Sequence, residues 1–205
     1  MAHSLTLKLR LSVFILLQMH VSTSGSSRDH DNAPPASSSS SNNLVRTSCI
    51  HASYPDICVR TLSTFPDPPT TPRELAQAAV KVSIAHARKL STFLAADQEA
   101  ASRKREKAAL NDCLEQMSDS VDELQKTLSE LGRLREAAAG GSFKLRMRNA
   151  ETWVSAALSD DETCLDGLGE AGKVKEEVRK RIVGVAKVTS NALYLINQLD
   201  AKKGG

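Results

Sequence analysis

Between residues 110 and 131 the apolar side chains recur at alternating spacings of four and three: Leu110, Leu114, Met117, Val121, Leu124, Leu128 and Leu131. On an α-helix such positions fall into one stripe, the seam of a bundle or coiled coil. The pattern predicts a helix from about Arg103 to Ala137, stopped by Ala139-Gly140-Gly141. An earlier helix opens at Thr71-Pro72-Arg73-Glu74. Thr71 as N-cap, Pro72 in the first turn and Glu74 three residues after the cap spell a capping box. Leu75, Ala79, Val82, His86, Leu90 and Phe93 follow at helical spacing and carry this helix to about Asp97. A third helix is expected from about Ser142 to Leu168, with Met147, Ala150, Val154, Ala157 and Leu165 as its stripe and Gly167, Gly169 and Gly172 at its end. The fourth runs from about Lys173 to Leu199, with Val174, Val178, Ile182, Val185, Thr189, Ala192, Leu195 and Leu199 on one face. No run alternates apolar and polar residues like a strand between turn signals.

Four long amphipathic helices with short connections predict an all-α fold, an up-down-up-down four-helix bundle. Residues 44–65 precede it and are helical in tone, but Pro55 disfavours helix at Tyr54. A turn at Tyr54-Pro55 folds this stretch into an N-terminal helical hairpin, ended by Phe65-Pro66-Asp67-Pro68-Pro69. The domain is therefore placed at 44–200, with 201–205 as a tail. Residues 25–43, with Pro34, Pro35 and the run Ser37–Ser41, read as a disordered linker.

Residues 1–24 carry a different pattern. Lys8 and Arg10 precede the apolar run Leu11 to Leu17, and small residues follow at Ser22-Thr23-Ser24. Basic, apolar and small in that order is the mark of an export signal, and the run is too short to span a bilayer. Cleavage is expected near Ser24, giving a secreted protein with no membrane segment.

Four cysteines remain behind that signal: Cys49, Cys58, Cys113 and Cys164. An even number in a secreted chain reads as two disulfides, for which three pairings are possible. No C-x-x-C pair supports a metal site, and none is expected. The second and third long helices are antiparallel about Gly140. Cys113 lies about 27 residues before that glycine and Cys164 about 24 after it. At 1.5 Å per residue both stand roughly 36–40 Å from the turn, level with each other. This pairs Cys113 with Cys164, and Cys49 with Cys58.

Charge and composition then narrow the function. Without residues 1–24 the chain keeps 25 basic and 24 acidic groups. Near-neutrality is unsuited to binding nucleic-acid phosphates, so no nucleic-acid partner is expected. Tyr54, Phe65, Phe93, Phe143, Trp153 and Tyr194 are the remaining aromatics, too few for a stacking platform. An enzyme needs a convergent nucleophile, base and orienting group. His30 lies in the linker, His51 in a disulfide loop and His86 on the apolar face of its helix, where it reads as structural. There is no Glu-x-x-His pair for a bundle metal and no phosphate-binding loop. Neither catalysis nor a cofactor is expected, and a protein-binding role is the better reading.

Several blocks of the chain resemble the plant invertase and pectin methylesterase inhibitor family. They are Cys49-Ile50-His51-Ala52-Ser53-Tyr54-Pro55-Asp56-Ile57-Cys58, Ala109-Leu110-Asn111-Asp112-Cys113-Leu114-Glu115, Thr152-Trp153-Val154-Ser155-Ala156-Ala157-Leu158 with Thr163-Cys164-Leu165-Asp166-Gly167, and Thr189-Ser190-Asn191-Ala192-Leu193. The likeness covers about residues 44–200. It implies a four-helix bundle with an N-terminal hairpin and a secreted inhibitor that binds a carbohydrate enzyme of the plant cell wall, in a 1:1 complex and without a covalent step. The third and fourth blocks are similar to the pectin methylesterase branch, and the Pro-Lys-Phe tripeptide typical of invertase inhibitors is absent. Leu168 departs from that branch, which more often has Phe there. With the chain stopping at Lys202-Lys203-Gly204-Gly205, a free-standing inhibitor in the apoplast is expected. Inhibition of an acid invertase is the alternative, and a non-inhibitory structural or signalling module is the alternative of another class.

The resemblance makes Asp119, Asp122, Thr152, Ser155 and Asp160, on the second and third long helices, the interface candidates. The acids Asp112, Glu115, Asp119, Asp122 and Glu123 beside the seam read first as a solvated helix face, part of which contacts the target enzyme in the functional reading. Arg103, Lys104, Arg105 and Lys107 oppose the helix dipole and form either a solvated end or a contact for acidic pectin. Trp153 reads as a near-core anchor, and Ser190 and Asn191 as partners in hydrogen bonds within the bundle.

Overall fold

The computed structural model describes residues 36–134, 141–168 and 173–204. The chain divides into Met1–Ala33 and Pro34–Gly205, and all described residues belong to the second unit. The expected export signal lies outside them. Six helices are described: α1 (Ala36–Cys49), α2 (Pro55–Ser63), α3 (Pro72–Ala100), α4 (Lys104–Arg133), α5 (Gly141–Gly167) and α6 (Lys173–Gly204). No strand occurs among the described residues.

Local chemistry sets the helix starts. Pro55 begins α2, and Tyr54 before it is held out of the helical region at φ −134°, ψ 78°. At α3 the backbone N–H of Glu74 donates to Thr71 Oγ1, and the Thr71 N–H donates back to Glu74 Oε2, each at 3.2 Å. The same Oε2 also accepts from the Thr70 hydroxyl at 2.7 Å and the Thr70 N–H at 2.9 Å. These bonds, the Thr70 hydroxyl foremost, hold the Glu74 carboxyl below the usual carboxylate range.

Helices α3 to α6 close into a ring in which each packs against the next and α6 returns to α3. Cross-helix pairs show the directions. On α4 and α5, Cys113 meets Cys164 and Glu130 meets Arg146. On α5 and α6, Thr189 lies against Asp161, and Asp200 acts on Glu151. On α3 and α6, Arg181 stacks over Phe93, and Val188 lies near Val82. Rising numbers on one helix meet falling numbers on the next, so the bundle runs up, down, up, down.

The α1–α2 hairpin caps one end. Cys49 and Cys58 are bonded with Cα atoms 5.7 Å apart. Val45, Cys49, Cys58 and Leu62 join one apolar cluster with Leu75, Val80, Leu124, Leu131, Val154 and Ile196. A second cluster fills the other end around the bonded Cys113 and Cys164, whose Cα atoms are 4.5 Å apart, with Leu90, Met117, Ile182 and Val185.

Four expectations need correction. The run Ser37–Ser41, read as linker, belongs to α1, which starts at Ala36. Ser41, Val45, Ser48 and Cys49 are its buried line, and the two serines hide that periodicity from hydropathy. The expected tail is a continuation of α6 to Gly204. His86 is exposed, because the buried stripe of α3 runs through Ala79, Val80, Ser83, Ala87, Leu90 and Leu94. The seam of α4 is rotated as well. Its fully buried line is Leu110, Cys113, Met117, Ser120, Leu124, Thr127 and Leu131, while Leu114, Val121 and Leu128 are half-buried flanks.

Candidate functional site

The seam between α4 and α5 presents a graded row of charged and aromatic groups. On α5, Arg146, Trp153 and Asp160 recur every seven residues and so share one side of the helix. On α4, Asp119, Glu123, Lys126 and Glu130 do the same at spacings of four and three. Opposite Arg146 stands Glu130, paired at 3.1 Å. Opposite Trp153 stands Lys126, its ammonium 4.5 Å from the ring centroid. Opposite Asp160 stand Glu123 and Asp119, and there the charge balance breaks, because all three groups are acids.

This triple of carboxylates is the least satisfied part of the face. Asp160 Oδ2 and Glu123 Oε2 are both buried atoms that accept no hydrogen bond. Burial raises the Asp160 carboxyl to about 6, and the charges of Glu123 and Asp119 add to the rise. Burial also raises Glu123, against the pull of Lys126 and with the push of Asp119. The arrangement favours a basic group brought by a partner, which would relieve the repulsion and fill the vacant acceptors.

The five sequence candidates separate in space. Asp119 and Asp160 meet in the triple. Asp122 is exposed, one turn from Asp119 along α4. Thr152 is exposed on the outer crest of α5, and its hydroxyl donates to the Arg148 carbonyl at 2.8 Å. Ser155 is exposed but lies roughly 140° around α5 from Asp160, on a different side. Residues adjacent in a motif are spread around a helix, so the Thr-Trp-Val-Ser run does not make one patch. Glu123 is the member the interface set lacked, and its i, i+4 spacing from Asp119 was the signal available.

Beneath this face the hydroxyl of Ser120 donates to Asp161 Oδ1 at 2.9 Å, tying α4 to α5 inside the bundle. Among the described residues no group of three or more His, Cys, Asp or Glu side chains is placed to hold a metal ion. No described helix is long and apolar enough to cross a membrane.

The chain is 51% identical over 168 residues to "Pectinesterase inhibitor 3" of Arabidopsis thaliana, covering 78% of this chain and 81% of that one. It is 42% identical over 172 residues to a "21 kDa protein" of Daucus carota, covering 82% and 89%. Its fold is similar to the crystal structure of a mutant form of a pectin methylesterase inhibitor from Arabidopsis. The TM-score is 0.60 over 73% of this chain and 92% of that one, and at 20% identity this likeness speaks to the fold alone. Residues 43–195 match the family described as "Plant invertase/pectin methylesterase inhibitor". With a bundle, a hairpin and a sequence all of one kind, this chain belongs to the plant invertase/pectin methylesterase inhibitor family.

Proposed function

We propose that this protein is a secreted inhibitor of pectin methylesterase, binding the enzyme in a non-covalent 1:1 complex that covers its pectin-binding cleft. The observation that carries this reading is the 51% identity, over most of both chains, to a relative named as a pectinesterase inhibitor. The α4–α5 face supports it physically. A rigid helix pair offers Asp119, Asp122 and Asp160, with Thr152 on the outer crest of α5, and Asp160 has a buried Oδ2 that accepts no hydrogen bond and has acids acting on it. Ser155 contributes only if the enzyme wraps around α5. A stable complex of this kind buries about 1,600 Å² in total. The work is done by shape and charge, with no bond made or broken. The setting is the apoplast, reached by removal of residues 1–24.

The test is a titration of the purified protein against plant pectin methylesterases, with an acid invertase run in parallel and the complex mass measured by light scattering. A linear loss of esterase activity ending at one inhibitor per enzyme is expected, with invertase untouched. Full esterase activity at molar excess, or inhibition of invertase alone, would refute the reading. N-terminal sequencing of the exported protein, expected to begin near Gly25, checks the export signal.

A further inference from the structure

At mid-height the two apolar clusters are separated by a polar layer to which every helix of the bundle contributes one residue. On α4 the layer residue is Ser120, between Met117 of one cluster and Leu124 of the other. On α5 it is Asp161, between Ala157 and Cys164, and on α6 it is Thr189, between Val185 and Ala192. On α3 it is Ser83, beside Ile84 and one turn before Ala87. All four side chains are 0% exposed, and Asp161 is the one ionisable group among them.

Each of the three hydroxyls makes a hydrogen bond. Ser83 donates to the Ala79 carbonyl at 3.2 Å, Ser120 to Asp161 Oδ1 at 2.9 Å, and Thr189 to the Val185 carbonyl at 3.1 Å. Asp161 Oδ2 is buried and receives no hydrogen bond. The Thr189 hydroxyl lies beside the carboxyl, but its proton also serves the Val185 carbonyl. A carboxylate in that position would hold a bare charge between the two apolar clusters with Oδ2 unsatisfied, whereas a carboxylic acid would be neutral.

We propose that Asp161 is a proton-dependent lock for the bundle. With a proton on the carboxyl the group is neutral, Oδ1 accepts from Ser120 and the Thr189 hydroxyl lies beside it, so one side chain joins α4, α5 and α6 without a buried charge. When the proton leaves, an unpaired charge sits between the two clusters and the bundle loosens.

The surroundings agree with this geometry. Burial pushes the Asp161 carboxyl up to about 7, against the hydrogen bonds of Ser120 and Thr189. The charged groups acting on it are Asp160 and Glu162 from α5, both acids, with no cation among them. From α4, α6 and α3 the layer brings hydroxyls: Ser120, Thr189 and Ser83. On α4, Asp119 and Glu123 act on Asp160 and have the same sign.

The test compares reversible unfolding of the wild type with that of Asp161→Asn from pH 4 to pH 8, disulfides intact. The amide is a neutral copy of the protonated acid. The folded acid holds its proton to higher pH than the unfolded one. Wild-type stability therefore falls between the ordinary carboxylate range and about pH 7 and is level above that. Across this window the ratio of the wild-type unfolding constant to that of the variant should rise about tenfold per pH unit. A ratio that does not change with pH would overturn the proposal. If the variant does not fold, titration of the Asp161 carboxyl carbon by NMR in the wild type decides. A midpoint near neutrality supports the lock, and one in the ordinary carboxylate range overturns it.

Discussion

Asn191 on α6 holds the backbone of Tyr54 from both sides, although the two residues are 137 positions apart. Its Oδ1 accepts from the Tyr54 N–H at 2.9 Å, and its Nδ2 donates to the Tyr54 carbonyl at 3.0 Å. Asn191 is buried and Tyr54 sits at the turn between α1 and α2. The pair thus pins the hairpin to the bundle at the point where Pro55 forces the chain out of helix. An amide is suited to this place because it can give and accept on one planar group.

Removing that amide should loosen the hairpin before the bundle. Asn191→Ala leaves a backbone donor without its partner, and the loss is expected to be about 1–3 kcal/mol. Hydrogen exchange should speed up in α1 and α2 more than in α3 to α6. Tyr54→Phe keeps the backbone bonds and should have little effect on exchange there.

The two disulfides should differ in weight. Cys113 and Cys164 close a loop with a sequence separation of 51, Cys49 and Cys58 one of 9. Replacing both members of the first pair with serine is expected to cost about 4 kcal/mol, and the same change in the second about 3. Urea unfolding of the two double variants, without reductant, measures the order.

Neutralising the carboxylate triple should have opposite effects on stability and on docking. The Asp160 carboxyl is raised to about 6, so the folded protein takes up its proton more readily than the unfolded chain does. Its stabilising effect is therefore complete below the ordinary carboxylate range and lost as pH rises through about 6. Asp160→Asn should remove that part of the decline, so its unfolding midpoint at pH 7.5 should equal or exceed that of the wild type. Esterase inhibition should meanwhile weaken, mainly through slower association, and the deficit should shrink at high salt. Inhibition curves at two ionic strengths check this.

The start of α3 offers a smaller and cleaner effect. Thr71→Ala removes the acceptor for the Glu74 N–H and should cost about 1 kcal/mol, while Thr71→Ser should cost little. Thermal unfolding of the pair of variants settles it.

The helices of the bundle were legible because their signals are local. Thr71, Pro72 and Glu74 announce the start of α3, and the Leu110 to Leu131 spacing announces α4. The antiparallel level of Cys113 and Cys164 follows from counting residues on either side of one turn. What hydropathy misread were buried positions filled by small polar residues. Ser120 and Thr127 lie in the core line of α4, so the visible leucines drew the stripe one step to the side. Ser41 concealed the early part of α1 in the same way.

By itself the sequence determined that four long helices follow Thr71 and which broad side of each is apolar, since those depend on neighbours within a few residues. It also carried the family motifs. The tertiary structure decided which polar residues turn inward and which acids meet. Asp119, Glu123 and Asp160 come together because two antiparallel helices set positions 119, 123 and 160 side by side, and Ser155 parts from them because it points around the same helix. Asp161 and Asn191 acquire their roles from partners on other helices. Burial and long-range hydrogen bonds have no periodicity along one chain, and they become fixed only when four helices close on one another.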